Sequence, residues 1–546
     1  MSLPSLYLAW VEDLPPRLNA VRKTRGIALS MPDGVVLKTD HYAPRAEGPH
    51  PTILMRLPYG RRGFGPIAEA YAERGFHVVV QACRGTEKSG GSFDPFANER
   101  ADGLATLDWI KAQPWFDGRI GLTGPSYLGY AQWAISDALP PTAALATKVT
   151  TADFRPVVFP SGAFHLNLWL SWVQVIEGLR SNPLATAARM FSGDIERRTE
   201  RAAATLPLIE ADKLAVGHKI GFWRHWFEHA VGNDQFWTEL DHRHRLTRDT
   251  PPVHFISGWY DFMVDPLLAD YQRLVELGHR PYLTIGTWFH IAEELQRDNL
   301  SETLIWMRAK LLGDTSGLRR NPVRIHISGR DEWHEFDRYP PGPVVPRTQF
   351  IAPNGRLEDR LEDSPAVPGS HDGYRYDPAE PTPNLGGAIF AFTGAGAVDN
   401  APLENRPDVL TYTGPALLAP LTFIGQCQVR LHARAALPNV DFFVRLCDVG
   451  PDGVSRNIAD GLAHVTPDTP TEADGSWQLS IPLHAMAHSF GAGHRLRLLI
   501  ASGAHPRYAR NPGTGEAIAT ATTLVANDVE IVHAGTSITL PTYALD

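Results

Sequence analysis

Cysteine is scarce in this chain of 546 residues: Cys83, Cys427 and Cys447 stand far apart, without a C-x-x-C pair. That excludes a disulfide framework and a thiolate metal site, and fits a reducing, cytoplasmic setting, with a Cys427–Cys447 bridge as the one pairing left open. Basic charge is not in surplus either. Lys and Arg number 51 against 60 Asp and Glu, with no basic block, so the footprint that a nucleic-acid partner requires is missing. No run approaches the roughly 18 apolar residues of a membrane span. The short apolar stretch Leu6 to Val11, followed by Glu12 and Asp13, lacks the pattern of an export signal. There is no H-E-x-x-H, no P-loop and no G-x-G-x-x-G after a strand, so neither metal nor cofactor is expected. Asp241 to His244 reads as a solvated polar stretch and Asp331 to Glu335 as a loop.

What is present is an ordinary globular composition, 43% hydrophobic and 20% charged, long enough for two to four domains. From about residue 26 to 150 short apolar runs alternate with amphipathic segments, the pattern of β-α-β units. Ile27 to Met31 and Val35 to Tyr42 flank Pro32-Asp33-Gly34 as a predicted hairpin. Strands are predicted at Thr52 to Arg56, Phe76 to Cys83, Arg119 to Leu122 and Ala144 to Val149, and helices at Ile67 to Glu73, Glu99 to Gln113 and Tyr127 to Asp137. The rhythm stops between about 153 and 248, where Phe159, Phe164, Trp169, Trp172, Phe222, Trp223, Trp226, Phe227 and Trp237 mark an inserted helical segment. It resumes with Val253 to Ser257, a helix at Pro266 to Leu277, Tyr282 to Ile285, a helix at Glu302 to Leu312, and Val323 to Ser328. Beyond about 345, short alternating runs such as Gln426 to Ala433 and Asp441 to Val449 predict an all-β sandwich or jelly roll. The expected architecture is therefore an α/β core (1–152 and 249–344), a helical cap (153–248) and a C-terminal β domain (345–546).

The segment Arg119 to Gly129 (RIGLTGPSYLG) runs a strand into a glycine-flanked serine and then into a helix. A nucleophile elbow needs that context, because its sharp turn strains the serine backbone and leaves free N–H groups beside a developing oxyanion. The strict G-x-S-x-G pattern is missed, since Leu128 occupies the second glycine position and Gly129 follows it. Alone, the near-match is as well explained by an ordinary turn. The order of the remaining groups decides for catalysis: Asp261 follows one apolar strand and His290 the next, giving Ser126, Asp261, His290 along the chain. The competing readings are that Asp261 caps the helix behind it and that His254 or His279 stands in for His290.

These segments resemble the CocE/NonD group of serine hydrolases, which includes cocaine esterases, α-amino-acid ester hydrolases and, more distantly, X-Pro dipeptidyl-peptidases. The resemblance spans nearly the whole chain: Pro58-Tyr59, QACRG from Gln81 with Ser89-Gly90, WFDGRIG from Trp115, GPSYLG from Gly124, GWYD from Gly258 and Trp288 to His290, then Tyr376-Asp377-Pro378, Gly386-Gly387 and Asn511-Pro512 in the last domain. It implies an α/β-hydrolase fold, Ser126 as nucleophile, His290 as general base and acid, and Asp261 as the carboxylate orienting it. It also implies an oxyanion hole formed by the Tyr127 backbone N–H and the Tyr59 phenol, although the sequence alone makes Tyr59 a packing aromatic. Ala82 departs from the aspartate common there in the group. Phe262, Met263 and Val264 after Asp261 disfavour a substrate with a free ammonium, unless Asp153, Asp265, Glu293 or Glu294 approaches the site. Phe164, Trp169, Trp172 and Phe262 are the candidate walls of an acyl pocket, against the plainer reading that they are core. A small ester with water as co-substrate is thus expected, with amide or dipeptide cleavage, or an inert binding protein, as alternatives. General frequency makes a homodimer the default assembly.

Overall fold

The computed structural model describes residues 3–46, 48–230, 235–359 and 369–545. Ten strands form the first sheet: β1 (Val21–Ser30), β2 (Val36–Pro44), β3 (His50–Leu57), β4 (His77–Ala82), β5 (Phe116–Pro125), β6 (Ala144–Lys148), β7 (Val253–Tyr260), β8 (Tyr282–Phe289), β9 (Val323–Ile327) and β10 (Glu332–Phe336). Their order is β1-β2-β4-β3-β5-β6-β7-β8-β9-β10. The strands from β3 to β9 pair in parallel, while β1-β2, β2-β4 and β9-β10 are antiparallel. The central strands are apolar runs rather than alternating ones because helices cover both faces, and every residue of β4, β6 and β7 is buried. A parallel sheet also sends all its strand ends to one edge, so the loops after β3, β5, β7 and β8 converge there.

Several elements depart from the sequence expectation. Most of Asp331 to Glu335, expected as a loop, belongs to the edge strand Glu332–Phe336 that pairs with β9, and Trp333 packs against Trp288 and beneath Arg324. The helix expected from Glu302 starts at Glu293, since its polar first turns conceal Leu295 and Leu300, both buried. The helix after Ser126 stops at Trp133, where a turn and a short 3-10 segment replace it. In the polar stretch at 241–244, His242 is buried and packs against Tyr130.

Between β6 and β7 the chain forms short helices and one long one, Leu166–Ser181, in which 12 residues are buried. A helix apolar nearly all round must be enclosed, and here it lies between the sheet edge and its neighbouring helices. From Val345 onward the chain builds a β sandwich, with Val440–Val449 paired between Ser455–Val465 and Arg495–Ala501. All three cysteines are free and buried, so the Cys427–Cys447 bridge is absent. Among the described residues no helix is long and apolar enough to cross a membrane.

Candidate active site

Ser126 follows β5 directly and precedes the helix Tyr127–Trp133, with φ 56° and ψ −120°. A non-glycine residue held at positive φ stores strain that only its surroundings can impose. Two close approaches impose it. A Cβ on Gly124 would lie 2.4 Å from the Leu128 side chain, and one on Gly129 would lie 2.2 Å from Thr150. The displaced glycine of the sequence is thereby explained, because Leu128 folds over Gly124 while Gly129 supplies the bare backbone facing Thr150, just after β6. The Ser126 N–H donates to the Lys148 carbonyl at 2.8 Å, fixing the turn to that strand.

The Asp261 carboxylate is fully buried, and its two oxygens do different work. Oδ2 accepts from His290 Nδ1 at 2.6 Å, and Oδ1 accepts the Met263 N–H at 2.6 Å. Asp261 does not cap the helix behind it, Val264–Glu276, which has no side-chain cap; the Oδ1 bond instead closes the turn before that helix. The His290 ring stacks on Phe262 with centroids 4.4 Å apart. His254 lies within β7 and bonds Thr284, whereas His279 bonds the Thr247 carbonyl, so neither reaches the site.

Tyr59 follows β3. Trp172 Nε1 donates to its hydroxyl at 3.2 Å, and that hydroxyl is also in hydrogen-bond contact with the Ser126 side chain. An indole can only donate, so the phenol oxygen accepts from Trp172 and keeps its own proton for the serine side. Burial raises the Tyr59 pKa, which keeps that proton on. The Tyr127 side chain turns into the core instead, its hydroxyl donating to Glu99 at 2.8 Å and accepting the Phe96 N–H. Its backbone N–H opens the helix and so has no intrahelical acceptor by position. Glu99 is in turn paired with buried Arg56 at 2.9 Å, anchoring the elbow to β3. In the loop of Ala82, Arg84 pairs with Asp102 and Asp33.

One narrow pocket brings these groups together, lined by Tyr59, Ser126, Tyr127 and His290 with Phe96, Phe154, Leu168, Trp169, Trp172, Phe262, Met263 and Phe390. Of the four candidate walls, Trp169, Trp172 and Phe262 line it. Phe164 does not. It packs within the cap against Phe159, Trp223 and Phe227, and these contacts occupy its ring. No carboxylate lines the pocket among the described residues. Asp153 pairs with Arg243, Asp265 pairs with His484, Glu293 is exposed, and the Glu294 side chain lies outside the described residues.

The last domain supplies what the sequence reading missed. Phe390, buried, lies 5.8 Å from the His290 ring and 6.3 Å from Phe262. Its loop is held by mutual hydrogen bonds between Gly387 and Gly396. Two apolar aromatics, Phe390 and Phe392, in a glycine-rich irregular segment were the available signal. The same domain braces the acid loop. His484 Nε2 contacts the Trp259 carbonyl at 2.7 Å and Nδ1 contacts Asp265 at 2.9 Å, while Tyr260 donates to the Asn457 carbonyl. Both partners of His484 can only accept, so both ring nitrogens carry protons. Burial alone would depress this histidine, but the Asp265 carboxylate, helped by Asp460, raises its pKa against an opposing Arg507.

A serine hydroxyl, an imidazole and a buried carboxylate, in that order on loops at the carboxyl edge of a parallel sheet, define an α/β-hydrolase of the serine class. Comparison with known proteins narrows the class. The family model of X-Pro dipeptidyl-peptidase (S15 family) matches residues 33–292, and that of the X-Pro dipeptidyl-peptidase C-terminal non-catalytic domain matches 317–537. Cocaine esterase of Rhodococcus sp. (strain MB1 Bresler) is 30% identical, covering 90% of this chain and 93% of its own. The chain belongs to this family, the CocE/NonD serine hydrolases. Its fold is shared with an aminopeptidase of a marine sediment Thaumarchaeota archaeon (TM-score 0.78, 20% identity, 97% of this chain and 99% of that one). It is shared equally with an α-amino acid ester hydrolase (TM-score 0.77, 21% identity, 97% and 98%).

Proposed function

We propose that this protein hydrolyses carboxylic esters with an uncharged aryl or compact alkyl acyl group, through an acyl-enzyme on Ser126. The observation that carries the reading is the pocket, which joins Ser126 and His290 to aromatic walls, with no carboxylate among the described residues. A substrate ammonium there would lose its water without gaining a counter-charge. On this reading, residues 1–152 with 249–344 form the catalytic unit, 153–248 the cap that walls the acyl site, and 345–546 the unit that lends Phe390.

His290 takes the Ser126 proton as the hydroxyl oxygen attacks the ester carbonyl, and Asp261 holds the imidazole with its Nε2 side free for that proton. The negative oxygen of the tetrahedral intermediate rests on the Tyr59 O–H and the Tyr127 N–H. The alcohol leaves with the proton from His290. Water then attacks the acyl-enzyme by the same route and releases the acid. Residues of the chain and water complete the cycle.

The test pairs short alkyl, benzoyl and phenylacetyl esters with their amides and with α-amino acid esters, on the parent and on Ser126→Ala. Ester turnover that disappears in Ser126→Ala supports the proposal. Preference for amides or amino acid esters favours the amidase or dipeptidyl-peptidase reading instead, and ester turnover retained by pure Ser126→Ala refutes Ser126 as nucleophile.

A further inference from the structure

The cap helix Gly221–Glu228 carries two different faces. On one, Trp226 packs against Trp169 with centroids 4.5 Å apart and Phe222 lies 5.9 Å from Trp172, so this face backs the acyl pocket. On another stripe stand His225 and Glu228, three residues apart and so on one side of the helix, and His229, the residue that ends the helix, follows directly. One ligand atom from each lies within 4.8 Å of the other two. We propose that these three residues form a binding site for a divalent transition metal ion of the zinc class, with water completing the coordination.

The donor set selects the ion. Two imidazoles with one carboxylate suit zinc and its first-row neighbours, while magnesium and calcium require oxygen ligands throughout. Bonds of about 2.0 to 2.2 Å around a tetrahedral ion place neighbouring donor atoms roughly 3.3 Å apart, so closure takes about 1.5 Å of side-chain movement. Glu228 is exposed and can supply that movement. The imidazoles are better held. Phe236 stacks on His229 with centroids 4.7 Å apart and lies 4.7 Å from His225, and the two imidazoles are themselves 4.7 Å apart. Ordering the rings beforehand lowers the entropy lost when an ion binds.

The decisive experiment is calorimetric titration of zinc chloride into the full chain, purified without a histidine tag and stripped with a chelator. One ion per chain at micromolar affinity is expected. His225→Gln and His229→Gln should each weaken binding about tenfold or more, Glu228→Gln less, and His218→Gln, outside the cluster, not at all. Cobalt(II) should give a visible absorption band that the histidine variants lose. Circular dichroism checks the fold of each variant, and exposed Glu228→Gln supplies an arm that does not disturb packing. Absence of one-to-one binding, affinity unchanged in Glu228→Gln, or binding retained in the folded His225→Gln/His229→Gln double variant each overturns the site. None of these readouts depends on esterase activity.

Discussion

Replacing Asp261 by Asn is the most discriminating perturbation of the proposed mechanism, because the two carboxylate oxygens have separate duties. Oδ2 accepts from His290 Nδ1 and Oδ1 accepts the Met263 N–H. An asparagine has one oxygen and one NH2 group at these positions, so it can satisfy only one duty. If its oxygen stays on the Met263 N–H, its NH2 meets His290 Nδ1 and forces the ring proton onto Nε2, the nitrogen that must receive the Ser126 proton. If it flips, the NH2 opposes the Met263 N–H and leaves a buried donor unsatisfied, at about 1–3 kcal/mol. That preference corresponds to roughly 5- to 150-fold in favour of the wrong tautomer. The trypsin-type triad, in which the same change drops kcat about 10⁴-fold, sets the upper bound. The expected loss in kcat on a p-nitrophenyl ester therefore lies between about fivefold and about 10⁴-fold. Thermal stability should fall little, because the replacement is isosteric. A kcat within about twofold of the parent would refute the assignment of Asp261, since even the weaker of these effects, about fivefold, exceeds it.

Tyr59→Phe removes one proposed oxyanion donor and should lower kcat by about 10² to 10³ with little change in KM; an unchanged kcat takes Tyr59 out of the mechanism. Phe390→Ala opens the pocket wall beside His290, so the ratio of kcat/KM for phenylacetyl over acetyl esters should rise, and a constant ratio means that Phe390 does not touch the acyl group. The His484–Asp265 brace predicts a pH window for stability. Because the folded state raises the His484 pKa, the brace is fully present below the ordinary imidazole range and is lost as pH rises through the raised value. Burial would raise Asp265, but His484, the Ala485 N–H and Gln426 hold it below the usual carboxylate range, so its contribution fails only as pH falls through that depressed value. Melting temperature against pH should show an alkaline decline that His484→Gln flattens, and identical profiles for parent and variant would remove the brace.

Much of this protein was legible from local pattern. Hydrophobic runs located most strands of the sheet because a strand buried on both faces must be apolar throughout, and a parallel sheet then fixes which edge receives Ser126, Asp261, His290 and Tyr59. The elbow was readable once Gly124 and Gly129 were counted as places where backbone must stay bare. Local pattern failed where polarity hid an element, as in the first turns of the helix from Glu293 and in the edge strand Glu332–Phe336. It failed also for Phe164, since aromatics in an enclosed cap look alike in sequence whether they face the core or the pocket.

Chain order and residue type by themselves determined the fold class and the order of the candidate triad, because strand burial and elbow geometry are short-range constraints. Only the tertiary structure decided that Trp172 donates to Tyr59, that Phe390 closes the pocket beside His290, and that His484 holds the strand end carrying Asp261. Those contacts join residues more than 90 positions apart, and side-chain packing between separately patterned units is what brings them together.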